Sequence, residues 1–276
     1  MPTIIQAIVL GIIQGLTEYI PVSSTAHLIL VPWLLGWQYN TDAKFVFDIL
    51  IQWGTLLGVV VYFWRDIVAI VREVISGLIQ RKPFGTPNAR LGWWVVIATI
   101  PAIIVGLLFK SKVEALYNSY LLIAIIIVAA GGLLIFAERF GKRLRALDSM
   151  KWLDALIIGV WQVLALIPGV RRSSATMAGG MLRDFNRTDA ARFSFLMSIP
   201  ALLGAGVVAI KDLLGAKDLL SQLAAPLAVG FISAAISGYL VVRWLLNYLR
   251  SRTLNAFAIY RLVFGVLCII VALTRG

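Results

Sequence analysis

A chain of 276 residues that is 61% hydrophobic and only 14% charged, with a mean hydropathy of +0.92, is too apolar for an ordinary soluble domain and reads as an integral membrane protein. Its formal charge of +12 does not indicate nucleic acid, because the Lys and Arg residues collect in short loops between apolar runs. The single cysteine, Cys268, excludes an intrachain disulfide and a cysteine-based metal site, and the lone histidine, His27, excludes a histidine-rich metal cluster.

The N-terminal apolar stretch lacks a basic leader and a small-residue cleavage site followed by a polar domain, so it is expected to stay in the mature protein. Residues 4–35 are apolar but interrupted by Pro21 and by Ser23-Ser24-Thr25. Neither half is long enough to span a bilayer core of ~30 Å comfortably, so the region is expected to be a hairpin that enters the membrane and returns. Three spans follow, Phe45–Phe63, Trp93–Phe109 and Tyr120–Phe136. Residues 152–182 form a second interrupted region, broken by Pro168, Gly169, Arg171, Arg172, Ser173 and Ser174, and three more spans follow it: Phe193–Ile210, Ala224–Leu246 and Phe257–Leu273. None of these runs shows the ten-residue alternation of a transmembrane barrel. The fold class is therefore all-α integral membrane, with six transmembrane helices and two re-entrant helical hairpins in one membrane domain, 1–276.

The order hairpin, span, span, span occurs twice. Gly11-Ile-Ile-Gln14-Gly-Leu16 is echoed by Gly159-Val-Trp-Gln162-Val-Leu164, and Phe47 with Leu56-Leu57-Gly58 by Phe193 with Leu202-Leu203-Gly204, at separations of 146 to 148 residues. Three crossings per half is an odd number, so residues 152–276 are expected to repeat 1–136 upside down. If the first hairpin opens on one face, fifteen basic residues lie in loops on the opposite face, among them Arg65, Arg72, Arg139, Arg143, Arg145, Arg183, Arg187 and Arg252. Six lie on the hairpin's own face: Lys44, Lys110, Lys112, Lys211, Lys217 and Arg275. The richer face is expected to be cytoplasmic and both termini outside.

The polar residues within the membrane gather at the two hairpin turns. Gln14 and Glu18 are four apart and share a helix face leading into the first turn. Ser23 or Ser24 is placed to cap a second helix from about Thr25, with His27 on its first turn, and Ser173 or Ser174 to cap the matching helix of the second hairpin. Two helix N-termini at the hairpin tips offer free amides and a positive dipole end to an anion. Arginine at bilayer depth costs about 2.5–3.5 kcal/mol on insertion scales, so Arg171 and Arg172 call for a partner, and a phosphate or diphosphate suits a guanidinium. Hydroxyls of Ser23, Ser24, Thr25, Ser173, Ser174 and Thr176 would add donors, and His27 would serve beside phosphorus as nucleophile or general acid/base. Taken singly, each residue has a structural reading: Glu18 as partner of an arginine, His27 as an interfacial residue, the serines as caps, the arginines at the surface of a shallow hairpin. Their coincidence at both turns favours the chemical reading. Trp33, Trp37, Trp53, Trp64, Trp93 and Trp94 are expected at interfaces or in packing, and Asp48 with Gln52 along a cavity. No phosphate-binding glycine loop, dinucleotide fingerprint or zinc spacing occurs.

The stretch Gln14-Gly-Leu-Thr-Glu18-Tyr-Ile-Pro-Val-Ser23-Ser24-Thr25-Ala-His27 and the stretch Pro168-Gly169-Val-Arg171-Arg172-Ser173-Ser174-Ala-Thr176 resemble the two signature regions of the bacitracin-resistance type of undecaprenyl-diphosphate phosphatases. The resemblance covers essentially the whole chain in length and segment order. It implies a multi-pass enzyme of the bacterial plasma (inner) membrane that converts undecaprenyl diphosphate to the monophosphate carrier, with re-entrant hairpins, inverted repeats and a divalent cation, Mg²⁺ or Ca²⁺. By position it implies Glu18, Ser24, His27 and Arg172 as catalytic residues, with Ser24 and His27 the rival nucleophiles. It implies Ser23, Thr25, Arg171, Ser173, Ser174 and Thr176 around the substrate, and Glu18 with Gln14 at the metal. Gln14 stands where many members have glutamate, and Arg171 where serine is common. The partners so implied are a polyprenyl diphosphate lipid and the bilayer, with a homodimer left open. A rival class is a carrier of polyprenyl phosphate, since inverted repeats with broken helices also build transporters; it would need the arginines but not His27.

Overall fold

The computed structural model describes residues 2–37, 41–109, 120–214 and 217–275. Lys110 and Lys112, counted above on the hairpin's own face, lie outside them. Every regular element among the described residues is helical apart from one isolated β-bridge, between Arg145 and Phe185. The chain forms two compact units, one from Met1–Ile20, Ser24–Tyr62 and Ser198–Leu245, the other from Pro21–Ser23, Phe63–Met197 and Leu246–Gly276.

In the first unit, helix α1 spans Ile4–Tyr19. It opens on a reciprocal cap in which Gln6 N–H donates to Thr3 Oγ1 at 3.3 Å and Thr3 N–H to Gln6 Oε1 at 2.8 Å. It stops at Ile20, whose extended backbone suits the residue before Pro21. Helices α2 (Ser24–Leu34) and α3 (Thr41–Tyr62) follow. The α1–α3 packing shares its core, including Ala7, Leu10, Leu28, Phe47 and Ile51, with Leu227 and Ala234 of a later helix, Lys217–Tyr248.

The second unit begins with α4 (Trp64–Ile79), an amphipathic helix with no buried residue, where the sequence reading expected a basic loop after the Phe45–Phe63 span. Helix α5 (Pro87–Leu108) starts on Thr86, whose hydroxyl accepts from Ala89 N–H at 3.2 Å, with Pro87 in the first helical position. Helices α6 (Tyr120–Phe140), α7 (Trp152–Val163) and α8 (Arg172–Leu182) come next. Helix α9 (Arg187–Leu214) begins in this unit and continues in the first, α10 (Lys217–Tyr248) does the reverse, and α11 (Asn255–Arg275) lies in the second. Each predicted span falls on a helix. Among the described residues, α5, α6, α10 and α11 are long and apolar enough to cross a bilayer, and α3 with α4 counts as a fifth crossing if taken as one broken span. The chain is thus an all-α, multi-pass membrane protein.

Three close approaches set the helix packing. In the first unit a Cβ on Gly11 of α1 would stand 2.9 Å from Ser233 Cβ of α10. In the second, a Cβ on Gly159 of α7 would stand 2.9 Å from Ala98 Cα of α5, and one on Gly131 of α6 would stand 3.1 Å from Ala258 O of α11. Small residues of this kind let membrane helices meet backbone to backbone.

Two buried carboxylates organise the polar loops of the second unit. Glu138 pairs with Arg143 and Arg187 and accepts from Leu254 N–H at 3.2 Å. Asp154, 1% exposed, accepts from Arg145 Nη2 at 2.7 Å, Arg183 Nε at 2.8 Å and Lys151 N–H at 3.0 Å. Burial pushes the Asp154 carboxyl up, but these donors outweigh it and hold the carboxyl down at about 2.

Candidate active site

In the first hairpin the four-residue spacing of Gln14 and Glu18 puts both on the buried face of α1, where Gln14 Nε2 donates to Glu18 Oε2 at 2.8 Å. Gly15 fixes that face: a Cβ there would stand 2.7 Å from the Gly238 backbone nitrogen and 2.8 Å from Ser237 Cβ. The Tyr19 hydroxyl donates to Thr55 O at 2.8 Å and ties the end of α1 to α3. Ser24 opens α2 and is buried, Thr25 is exposed, and His27 is half-buried on the first turn. Asp48, expected along a cavity, is ion-paired to Lys44 one turn before it. Trp53 is a packing residue, set against Gly206 of α9.

The second hairpin turns at Gly169, whose φ of +95° is left-handed and whose Cβ, if present, would lie 2.9 Å from Ile123 O. The capping expectation for Ser173 and Ser174 is corrected here. Arg171 has the extended backbone of an N-cap, the first helical hydrogen bond runs from Ala175 N–H to Arg171 O at 3.0 Å, and both serines therefore sit inside the first turn. From there Ser174 Oγ donates to Arg171 O at 2.7 Å, and Thr176 Oγ1 donates to Arg172 O at 2.8 Å while accepting from Ser194 Oγ at 2.5 Å. Thr176 is thus engaged in tying α8 to α9. Ser173, 2% exposed, is different: its Oγ is buried and has no hydrogen-bond partner. Beside it are the first amides of α8, which have no acceptor in their own helix, and the half-buried Arg171 and Arg172. A buried hydroxyl without a partner, in the first turn of a helix and adjacent in sequence to two arginines, is an arrangement that accepts an anion.

A residue that the sequence reading passed over completes the second hairpin. Arg261 of α11 is 1% exposed. It donates from Nη2 to Gly169 O at 2.5 Å, from Nη1 to Ser174 Oγ at 3.0 Å and to Pro21 O at 3.4 Å, and from Nε to Ile127 O at 3.4 Å. The signal was available, since Arg261 is the one charged residue in the apolar run 255–274.

The second unit therefore brings together Ser23, Arg171, Arg172, Ser173, Ser174 and Thr176, while Gln14, Glu18, Ser24, Thr25 and His27 belong to the first. Among the described residues no three His, Cys, Asp or Glu side chains gather as a metal-binding group. Oxygen donors of other kinds would have to complete a cation site at Glu18.

Residues 7–267 match the family described as Bacitracin resistance protein BacA. Relatives named undecaprenyl-diphosphatase include one from Myxococcus xanthus, 43% identical over 272 residues, covering 99% of this chain and 90% of the relative. One from Chlorobaculum tepidum is 43% identical, covering 95% and 94%, and one from Moorella thermoacetica is 41% identical, covering 98% of each. With a match of that extent and relatives this similar along nearly their whole length, the chain belongs to the bacitracin resistance protein BacA family.

Proposed function

We propose that this chain hydrolyses undecaprenyl diphosphate, releasing inorganic phosphate and leaving undecaprenyl phosphate, the lipid carrier reused in cell-wall synthesis and the basis of bacitracin resistance. The observation that carries the reading onto this chain's own residues is the buried, unpartnered Ser173 hydroxyl at the start of α8, beside Arg171 and Arg172. Arg172, the α8 amides and Ser173 take the terminal phosphate oxygens and neutralise the charge that develops on them. Ser23 and Ser24, and Thr25 beyond them, supply hydroxyls from the other hairpin.

His27 attacks the terminal phosphorus. An imidazole attacks phosphorus without a separate base, which a serine hydroxyl would need. The new P–N bond forms as the anhydride P–O bond breaks and undecaprenyl phosphate leaves. Water then attacks the phosphohistidine, giving inorganic phosphate and free imidazole. Phosphoryl trapping separates His27 from Ser24, because a phosphohistidine is acid-labile and a phosphoserine acid-stable.

One carboxylate and one amide oxygen, from Glu18 and Gln14, suit a hard divalent cation such as Mg²⁺ or Ca²⁺ that keeps water and phosphate oxygens as its other ligands. Such an ion would supply charge neutralisation at the diphosphate. The inverted-repeat reading is supported by the packing: α1 of the first half lies on α10, the middle span of the second, and α7 of the second half lies on α5, the middle span of the first. The asymmetry of the basic loops supports both termini outside the plasma membrane.

The test is phosphate release from undecaprenyl diphosphate by the purified protein in detergent, with Mg²⁺, Ca²⁺ or EDTA, and with His27→Ala in parallel. Expected are turnover that stops in chelator and a His27→Ala protein that is folded and inactive. A wild-type protein that binds the lipid and releases no phosphate would remove the hydrolase reading.

A further inference from the structure

Arg261 lies on a different helix from every residue assigned above, yet it joins the turns of both hairpins. Its acceptors are the carbonyls of Pro21 and Gly169, each at a point where the backbone leaves helical geometry, the Ser174 hydroxyl in the first turn of α8, and the carbonyl of Ile127 in α6. Carbonyls at such turns have no helical donor, and in a buried setting each needs one. A guanidinium provides five N–H groups in a rigid plane, so one side chain reaches all four acceptors, which a lysine ammonium on its single nitrogen does not. All four partners are neutral oxygens. Neither Asp154 nor Glu138, the buried carboxylates of the same unit, is among them.

We propose that Arg261 is a positioning residue for the hydrolysis: it holds the Pro21 turn, the Gly169 turn and Ser174 in one fixed arrangement, and so holds Arg172, Ser173 and the α8 amides where the transferred phosphate needs them. The role rests on the hydrolase reading above. Arg261 reaches the substrate only through these groups, so its loss removes the alignment that matters in the transition state more than it removes lipid binding.

Arg261→Gln and Arg261→Lys are assayed with wild type for phosphate release, with kcat per folded protein and KM for undecaprenyl diphosphate determined separately. Expected for Arg261→Gln is a kcat about 100-fold lower with KM within about threefold, and for Arg261→Lys a recovery of about tenfold, since one ammonium restores some of the contacts. A folded Arg261→Gln protein with kcat within threefold of wild type, or one whose defect lies wholly in KM, overturns the role. If neither variant folds, Ser174→Ala decides, because it removes one of the four acceptors: a drop in kcat at constant KM supports positioning, and unchanged kcat overturns it. The wild-type arm keeps the two readings apart. No phosphate release from wild type sinks the hydrolase, whereas normal wild-type and normal Arg261→Gln turnover sink only the positioning role.

Discussion

Replacing Asp154 by Asn removes the one carboxylate that Arg145 and Arg183 share. With the carboxyl held at about 2 against an ordinary value of 3.8, the native state favours the charged form by nearly two pH units, or about 2 kcal/mol. The two arginines are 26% and 37% exposed, so solvent takes up most of the charge they lose as partner, and little is added for them. Because the folded value is depressed, the contribution is complete above pH 3.8 and disappears as pH falls towards 2. Thermal unfolding in detergent, followed by tryptophan fluorescence, should place Asp154→Asn about 5 °C below wild type at pH 7. The gap should hold down to pH 5 and close between pH 4 and 2. Groups common to both proteins cancel in the difference. Equal stability at pH 7, or a gap unchanged at pH 2.5, would refute the account of this ion-pair cluster.

Arg172→Ala should lower kcat for phosphate release by at least about 100-fold in a protein that still folds, with Arg172→Lys intermediate because it keeps the charge and loses the bidentate geometry; near-normal turnover of Arg172→Ala would displace Arg172 from the site. Gly15→Ala should destabilise by about 1–3 kcal/mol, because its Cβ meets the Gly238 backbone and Ser237 Cβ, which cannot rotate away. Gly132→Ala is its control: nothing lies within 4 Å of that Cβ, and the gain in helix propensity should leave stability equal or slightly higher. Equal melting of the two variants would contradict the close α1–α10 packing.

The hairpins were legible because a Pro-Ser-Thr break in an apolar run has few structural meanings in a membrane. The shared face of Gln14 and Glu18 followed from helical spacing alone. Other features were not legible. Whether Ser173 caps α8 or lies within it depends on a two-residue shift in where the helix starts, and the extended backbone of Arg171 settles that only in three dimensions. Helix α4 alternates charge with Ile and Val, so it passes in one dimension for a polar loop after the Phe45–Phe63 span. Arg261 stands outside both motifs, and its partners lie up to 240 positions away, so its charge was visible in the sequence while its role was not.

That distance has a consequence for how the protein is made. Helix α1 leaves the ribosome among the first residues, yet the backbone it leans on, around Ser233 and Ser237, emerges some 226 positions later, and the Pro21 turn waits longer still for Arg261. Until α10 and α11 are delivered, the nascent chain carries a helical hairpin with its buried polar face, Gln14 and Glu18 included, lacking its final neighbours. Completion of this membrane protein is thus a late, post-insertion event with high contact order, and the interval before it is when the chain is most open to quality-control proteolysis.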